Sequence, residues 1–382
     1  MESKNALLLY VSKIGELSVV KRLIDEGVDI NTKDKDGNSA IHLATEANHV
    51  EVLKFLLQND ADINVVNDDG NSALHVAILS LSLECVELLL EEQIKVNRFN
   101  NQKKSELMCA MQLDFVEPFK EKTEKIIELL INNGNIDLKT ETVDSVIEFD
   151  GSNYLFYAIE CRNFFAFQKL IEKDITLCDT KNKFQNYPIH EAVTQNQLNM
   201  TKLLISKSRK YIDIKGDKGF TPLHNAVNFV AFRTIEYLIE QNADVNQQTS
   251  YGLTPLFMAT TSYRDCCMNA ITVCKYTLSL KIATKFEEKV TLFRKKCAFL
   301  AIAAYLIENG GANIYLQDEN GHTPLDVINK DEESITLKML YMQKPLIDKI
   351  NSLKNELHSV RIENNHLRVD LNRLEDLMAL WS

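Results

Sequence analysis

DGNSAIHLATEANHVEVLKFLLQNDADIN, residues 36–64, is followed by DGNSALHVAILSLSLECVELLLEEQIKVN, residues 69–97, and the two stretches superpose letter on letter. Gly37 and Gly70 lie 33 residues apart, as do His42 and His75, and Asn31, Asn64 and Asn97 take the same step twice. One period kept by three residue types marks an internal repeat, so the chain is assembled from copies of a small unit. Each unit reads as a turn followed by two helices. Gly37 and Gly70 supply the positive φ at which the chain reverses. Ser39 and Ser72 cap the first helix by accepting an orphan backbone N–H. The apolar residues of FLLQND recur at helical spacing, so the second helix has one buried face. A single unit cannot close a core, and stability must come from stacking, each copy touching only its neighbours.

The pattern returns as YPIHEAV from Tyr187, KGFTPLHNAV from Lys218, YGLTPLFMAT from Tyr251 and NGHTPLDVI from Asn320. Where Pro follows the capping Thr, it occupies the first helical turn, in which its missing N–H is no loss. Two further units are degenerate, with ELMC from Glu106 and YLFY from Tyr154 in place of TPLH, but their second helices persist. The motif resembles the ankyrin repeat, whose signature is a turn glycine, TPLHxA, a helix pair and a closing (A/G)D(V/I)N. The resemblance implies an all-α fold: an ankyrin-repeat α-solenoid of helix pairs with β-hairpin turns, about nine units over residues 1–341. The first unit lacks its TPLH half, and insertions fall near 112–122 and 263–297.

Composition agrees with a folded, core-forming chain: of 382 residues, 45% are hydrophobic and 25% charged. The balance of 43 Lys and Arg against 54 Asp and Glu gives net charge −11, which repels phosphate backbones and anionic membranes, so no nucleic-acid partner is expected. The longest apolar stretch, CAFLAIAAYLI at 297–307, is too short to span a bilayer. The N-terminal apolar run is six residues after an acidic one, which fails as a signal peptide and points to a cytoplasmic protein. Eight cysteines at irregular spacing, with no CxxC pair, read as reduced thiols.

His42, His75, His190 and His224 recur at one register and invite a metal reading. In the ankyrin motif, however, the imidazole usually bridges backbone groups of adjacent turns, and stacked units hold such side chains too far apart to share an ion. Cys266, Cys267 and Cys274 read as buried or loop thiols in the same way. Neither metal nor cofactor is expected. No phosphate loop, nucleophile elbow or HExxH is present, so the chain is read as a non-enzyme.

The resemblance implies a concave face, made of hairpin tips and first helices, that grips partner proteins by shape and charge. On the tips, Lys35, Asp68, Lys183, Lys218, Tyr251 and Asn320 are candidate contacts, and Glu46 and Asn228 join them from the first helices. The second insertion, 264–296, is basic in an acidic chain: Arg264, Lys275, Lys281, Lys285, Lys289, Arg294, Lys295 and Lys296 oppose Asp265, Glu287 and Glu288. It reads either as a contact surface or as an amphipathic helix packing Leu278, Ile282, Phe286 and Val290 back on the stack. The smaller insertion QLDFVEPFKEK from Gln112 and the acidic strip ETVDSVIEFD from Glu141 read as loops. The last unit with its preceding insertion resembles the end of the ankyrin array in mind bomb type ubiquitin ligases. That chemistry needs a RING with zinc-ligating Cys and His pairs, which this sequence lacks, so a ubiquitin role would be that of a substrate adaptor or an effector acting through the basic insertion.

After Pro345 the period changes to seven. Ile350, Leu357, Asn364, Leu371 and Met378 take the a positions and Leu346, Leu353, Val360, Leu367, Leu374 and Trp381 the d positions, predicting a coiled coil over 345–382. A single buried Asn at an a position selects a parallel two-stranded register, and Glu356 with Arg361 and Glu363 with Arg368 are the matching g–e pairs. The expected assembly is a parallel homodimer. The alternative is a helix folded back on the repeats as a monomeric cap.

Overall fold

A computed structural model describes residues 2–113, 119–139, 153–268 and 298–328, with single helical positions between 337 and 356. The chain divides into two compact units, residues 1–217 and 218–382. In the first unit the described residues form six helix pairs: α1 (Glu2–Ile14) with α2 (Leu17–Asp25), α3 (Ala40–Glu46) with α4 (Val50–Gln58), α5 (Ala73–Leu79) with α6 (Leu83–Glu91), α7 (Glu106–Gln112) with α8 (Lys120–Asn132), α9 (Tyr154–Glu160) with α10 (Phe164–Lys173), and α11 (Pro188–Thr194) with α12 (Leu198–Lys207). First helices pack on first helices, α1 on α3, α3 on α5 and α5 on α7, while α2, α4, α6, α8, α10 and α12 pack in sequence as a second layer. The core lies between the layers. Leu8, Leu53, Leu56, Leu74 and Leu89 are fully excluded from solvent, each worth roughly 1.5–3 kcal/mol of apolar burial.

The second unit repeats the scheme with α13 (Pro222–Asn228) and α14 (Phe232–Glu240), then α15 (Pro255–Met268) packed against α16 (Ala298–Tyr305), and α17 (Pro324–Val327) packed on α15. The α15–α16 pair closes across the second insertion. Its charged core beyond Met268, with Leu278, Ile282, Phe286 and Val290, lies outside the described residues, as does the strip from Glu141.

Between the helix pairs the chain makes a hairpin with a single isolated antiparallel bridge, as between Lys33 and Ser39, and a side chain that closes its turn. Asp34 Oδ1 accepts the N–H groups of Asp36 and Asn38 at 2.9 and 2.8 Å, and Asn67 Oδ1 accepts those of Asp69 and Asn71 at 3.1 and 3.0 Å. Asn100, Asn182, Thr249 and Asp318 do the same for their own turns. Each oxygen satisfies two backbone donors that no neighbouring strand reaches. The turn glycines sit where expected, Gly37 at φ 76° and Gly70 at φ 74°. Gly37 is constrained twice, because a Cβ there would stand 2.7 Å from the backbone nitrogen of Asp68 in the next hairpin.

Two expectations need correction. The first unit, although it lacks TPLH, forms a complete helix pair whose 13-residue α1 buries Leu8, Leu9 and Val11. A first helix needs an apolar stripe more than it needs the motif. The stretch from Gln112 is not a loop throughout: Gln112 ends α7 and Lys120–Lys122 already belong to α8, an amphipathic segment that buries Thr123, Ile126, Ile127 and Leu130. The predicted coiled coil is a different case, because of its heptad positions only Leu353 is described, on a helical residue 54% exposed. Leu346, Ile350, Leu357, Val360, Asn364, Leu367, Leu371, Leu374, Met378 and Trp381 lie outside the described residues.

Candidate partner-binding surface

The recurring histidines are structural. Ser39 N–H donates to His42 Nδ1 at 3.2 Å, which leaves the ring proton on Nε2, and Nε2–H donates to the carbonyl of Asn71 in the next hairpin at 3.1 Å. His75 joins Ser72 to the Lys104 carbonyl in the same way, and His224 joins Thr221 to the Leu253 carbonyl at 3.0 Å. Tyr187 N–H donates to His190 Nδ1 at 3.3 Å. Each imidazole thus closes a helix N-terminus, and those of His42, His75 and His224 tie it to the following turn, the role the ankyrin resemblance implies. Burial holds His42 below its usual range and pushes His75 down to about 4, so both stay neutral near pH 7. In α17 the slot holds Asp326, which accepts from the N–H and hydroxyl of Thr323 at 2.8 and 2.7 Å but has no proton to pass onward. Among the described residues no cluster of three His, Cys, Asp or Glu is placed to hold a metal ion.

Successive hairpins are joined edge to edge. Asp68 N–H donates to the Asp36 carbonyl and Asn101 N–H to that of Asp69; in the second unit Ser250 bonds Lys218 and Glu319 bonds Tyr251. Behind the tips, the period-33 asparagines form a second seam: the side-chain oxygens of Asn31, Asn64 and Asn97 accept the N–H groups of Asp62, Lys95 and Asp137 at 2.9–3.1 Å. The backbone of the tips is therefore fixed, while their side chains remain open to solvent.

All eight candidate contacts are exposed. In the first unit Lys35, Asp68 and Lys183 stand on hairpins and Glu46 ends α3, where its carboxylate meets Lys13 at 3.1 Å. Lys183 lies over the ring of Phe184, 5.1 Å from its centroid. In the second unit Lys218, at φ 49°, Tyr251 and Asn320 occupy hairpins and Asn228 ends α13 beside the exposed ring of Phe229.

What the sequence reading missed is a depression of about 230 Å³ between hairpins and first helices of the first unit. Its apolar wall is Leu79, Cys109 and Leu113, and its rim is Asp69, Asn71, Asn100, Gln102, Lys104 and Gln112. Leu79 is half exposed, and burial pushes the Cys109 thiol up to about 12, so that sulfur is an inert surface. Lys104 Nζ donates to Gln112 Oε1 at 2.6 Å. The signal was available: the 33-residue step from Glu46 lands on Leu79 and then Gln112, and the step from Asp36 lands on Asp69 and Gln102.

Among the described residues no helix is long and apolar enough to cross a membrane. The family model for ankyrin repeats (3 copies) matches residues 7–100, 155–249 and 189–280, more than half of the chain. A protein of Acanthamoeba polyphaga mimivirus, named as an ankyrin repeat protein, is 32% identical over 129 residues, which are 34% of this chain and 16% of that protein. Ankyrin repeat and SOCS box protein 3 of Homo sapiens is 38% identical over 72 residues, 18% of this chain and 14% of the relative. A Saccharomyces cerevisiae protein named as a probable 26S proteasome regulatory subunit is 26% identical over 150 residues, 37% of this chain and 62% of its own length. The matches thus span less than a fifth of the first two relatives.

Proposed function

Because the chain belongs to the ankyrin-repeat family, we propose that it is a non-enzymatic scaffold or adaptor whose hairpin tips and first helices bind partner proteins. One observation carries the reading: the backbone of consecutive tips is fixed hairpin to hairpin, whereas side chains in one register change from Asp36 to Asp69 to Gln102. A fixed frame with variable exposed letters suits recognition, because little order is lost on binding. Lys35, Glu46, Asp68, Lys183, Lys218, Asn228, Tyr251 and Asn320 are the proposed contacts. Charge reversals at Lys35, Glu46, Asp68, Lys183 and Lys218, and alanine at Asn228, Tyr251 and Asn320, read by affinity capture and mass spectrometry from cells, should remove partners without lowering the melting temperature; unchanged capture would count against the surface.

The scaffold runs over 1–341 as about nine units, and the heptads of 345–382 pair two copies in parallel. Leu353, apolar and exposed on its own protomer, supports pairing in trans. A dimer displays two copies of one surface and gains avidity through effective concentration. Light scattering should give twice the chain mass for the full protein and a single mass for a version ending at Tyr341; equal monomer masses would refute the dimer. A second reading, a substrate adaptor in protein turnover working through residues 264–296 in the cytoplasm, draws on the likeness of its last unit to mind bomb type arrays and on the yeast relative's printed name. Deleting 264–296 should then abolish capture of its target while leaving the helical content of the repeats intact.

A further inference from the structure

We propose that the depression bounded by Leu79, Cys109 and Leu113 receives one large apolar side chain of a partner segment that carries Lys or Arg beside it. The inference rests on the hairpin-and-helix surface being the partner surface, and it names the chemistry that surface selects. Size comes first: about 230 Å³ lies below the roughly 300–1,000 Å³ of pockets that take whole small ligands, and is the scale of a single leucine, methionine or phenylalanine side chain. Leu79 is half exposed and lines the opening. An apolar group placed there removes the exposed faces of Leu79 and Leu113 from water, the usual form of a binding anchor.

Charge then orients the segment. On the side of the preceding repeats the opening is edged by Asp69, with Asp68 exposed beside it and Glu46 one register step away. Lys104, the rim's cation, keeps its charge while donating to the neutral Gln112, so the opening has an acidic side at Asp69 and a basic side at Lys104. A basic partner residue beside the apolar one is repelled from Lys104 and drawn to the side of Asp68 and Asp69, which fixes the direction in which the segment lies. The Lys13–Glu46 pair is exposed at both ends and exchanges at little cost.

The test uses the full chain, immobilised, against a phage-displayed library of short random peptides. Selected peptides should share a large apolar residue next to Lys or Arg. A fluorescein-labelled peptide of that kind should bind at least tenfold more weakly to Leu79→Glu and to the double variant Asp68→Lys, Asp69→Lys, and about equally to Leu79→Met. Leu79 is exposed enough that Leu79→Glu should keep the wild-type melt. Selection of peptides without the pattern, selection of none, or binding indifferent to Leu79→Glu overturns the proposal. If binding survives Leu79→Glu but is lost on reversing Lys183 or Lys218, the surface stands and the pocket falls; if it survives all of these, both fall. A drop in the mass of the full chain caused by Leu79→Glu would make the occupant a second copy and also overturn it.

Discussion

Replacing Glu106 by Gln should change the pH dependence of stability rather than its value at low pH. In the family pattern Pro follows the capping residue, but here Glu106 follows Ser105, and its side chain is 1% exposed. Its carboxylate accepts the Arg98 backbone N–H at 3.2 and 3.3 Å, and the backbone N–H groups of Glu106 and Asn97 also favour its charge, but burial outweighs them and pushes it up to about 7 from an ordinary 4.5. Below pH 4.5 the group is protonated in both folded and unfolded chains and costs nothing. Above pH 7 it is ionised in both, and the folded chain bears roughly 3 kcal/mol at about 1.4 kcal/mol per pH unit. His75, whose Nδ1 lies 3.9 Å from Glu106, works in the opposite sense. Its neutral form is kept down to about 4 while the unfolded ring takes a proton below 6.5, so its stability is present above 6.5 and is lost as pH falls toward 4. Between 4.5 and 6.5 the two slopes cancel in the native chain. In Glu106→Gln the His75 slope is no longer opposed by that carboxylate. Urea unfolding followed by far-UV circular dichroism should therefore give a variant-minus-native difference that grows by roughly 3 kcal/mol in the variant's favour from pH 4 to pH 8. The amide keeps an oxygen for Arg98, so any constant offset from its new N–H groups does not affect the comparison. A difference flat across that range, or one that shrinks with pH, would refute the account.

Val230→Gly should stabilise the second unit by about 0.5–1 kcal/mol, because Val230 sits at φ 55°, a left-handed conformation costly for a β-branched residue, and a thermal melt would show the gain. Gly37→Ala should cost at least about 2 kcal/mol, combining strain at φ 76° with the 2.7 Å approach to the Asp68 nitrogen, and should lower the urea midpoint. Of Cys85, Cys109, Cys161 and Cys178, only the half-buried Cys161 should react with iodoacetamide at pH 8 in the folded chain, because burial pushes the other three up to about 12; peptide mass spectrometry reads the sites.

Turn glycines and capping hydroxyls were legible in the sequence because each is a local requirement, a positive φ or an orphan N–H, whereas the bridging role of the histidines, which reaches 29 residues on, came with the ankyrin resemblance. The same period also carried Asp34, Asn67 and Asn100, whose side chains build the hairpins, and the register that leads from Glu46 to Leu79; these were there to be read once the structure gave the positions a task. The ELMC slot concealed more. Nothing in its letters says that Glu106 is buried or that Ser105 meets the Tyr154 hydroxyl at 2.8 Å, since both follow from neighbouring units stacked above and below.

By itself the sequence determined the period, the helix pairs and the fixed positions that hold them, because those rest on conformational preferences within about one unit of chain. Only the tertiary structure decided which exposed letters share a hollow, that α1 is complete without its motif, and how far His75 and Glu106 are driven from their ordinary ionisation. Desolvation and concavity belong to surfaces made by two or three units together, and no single stretch of chain contains them.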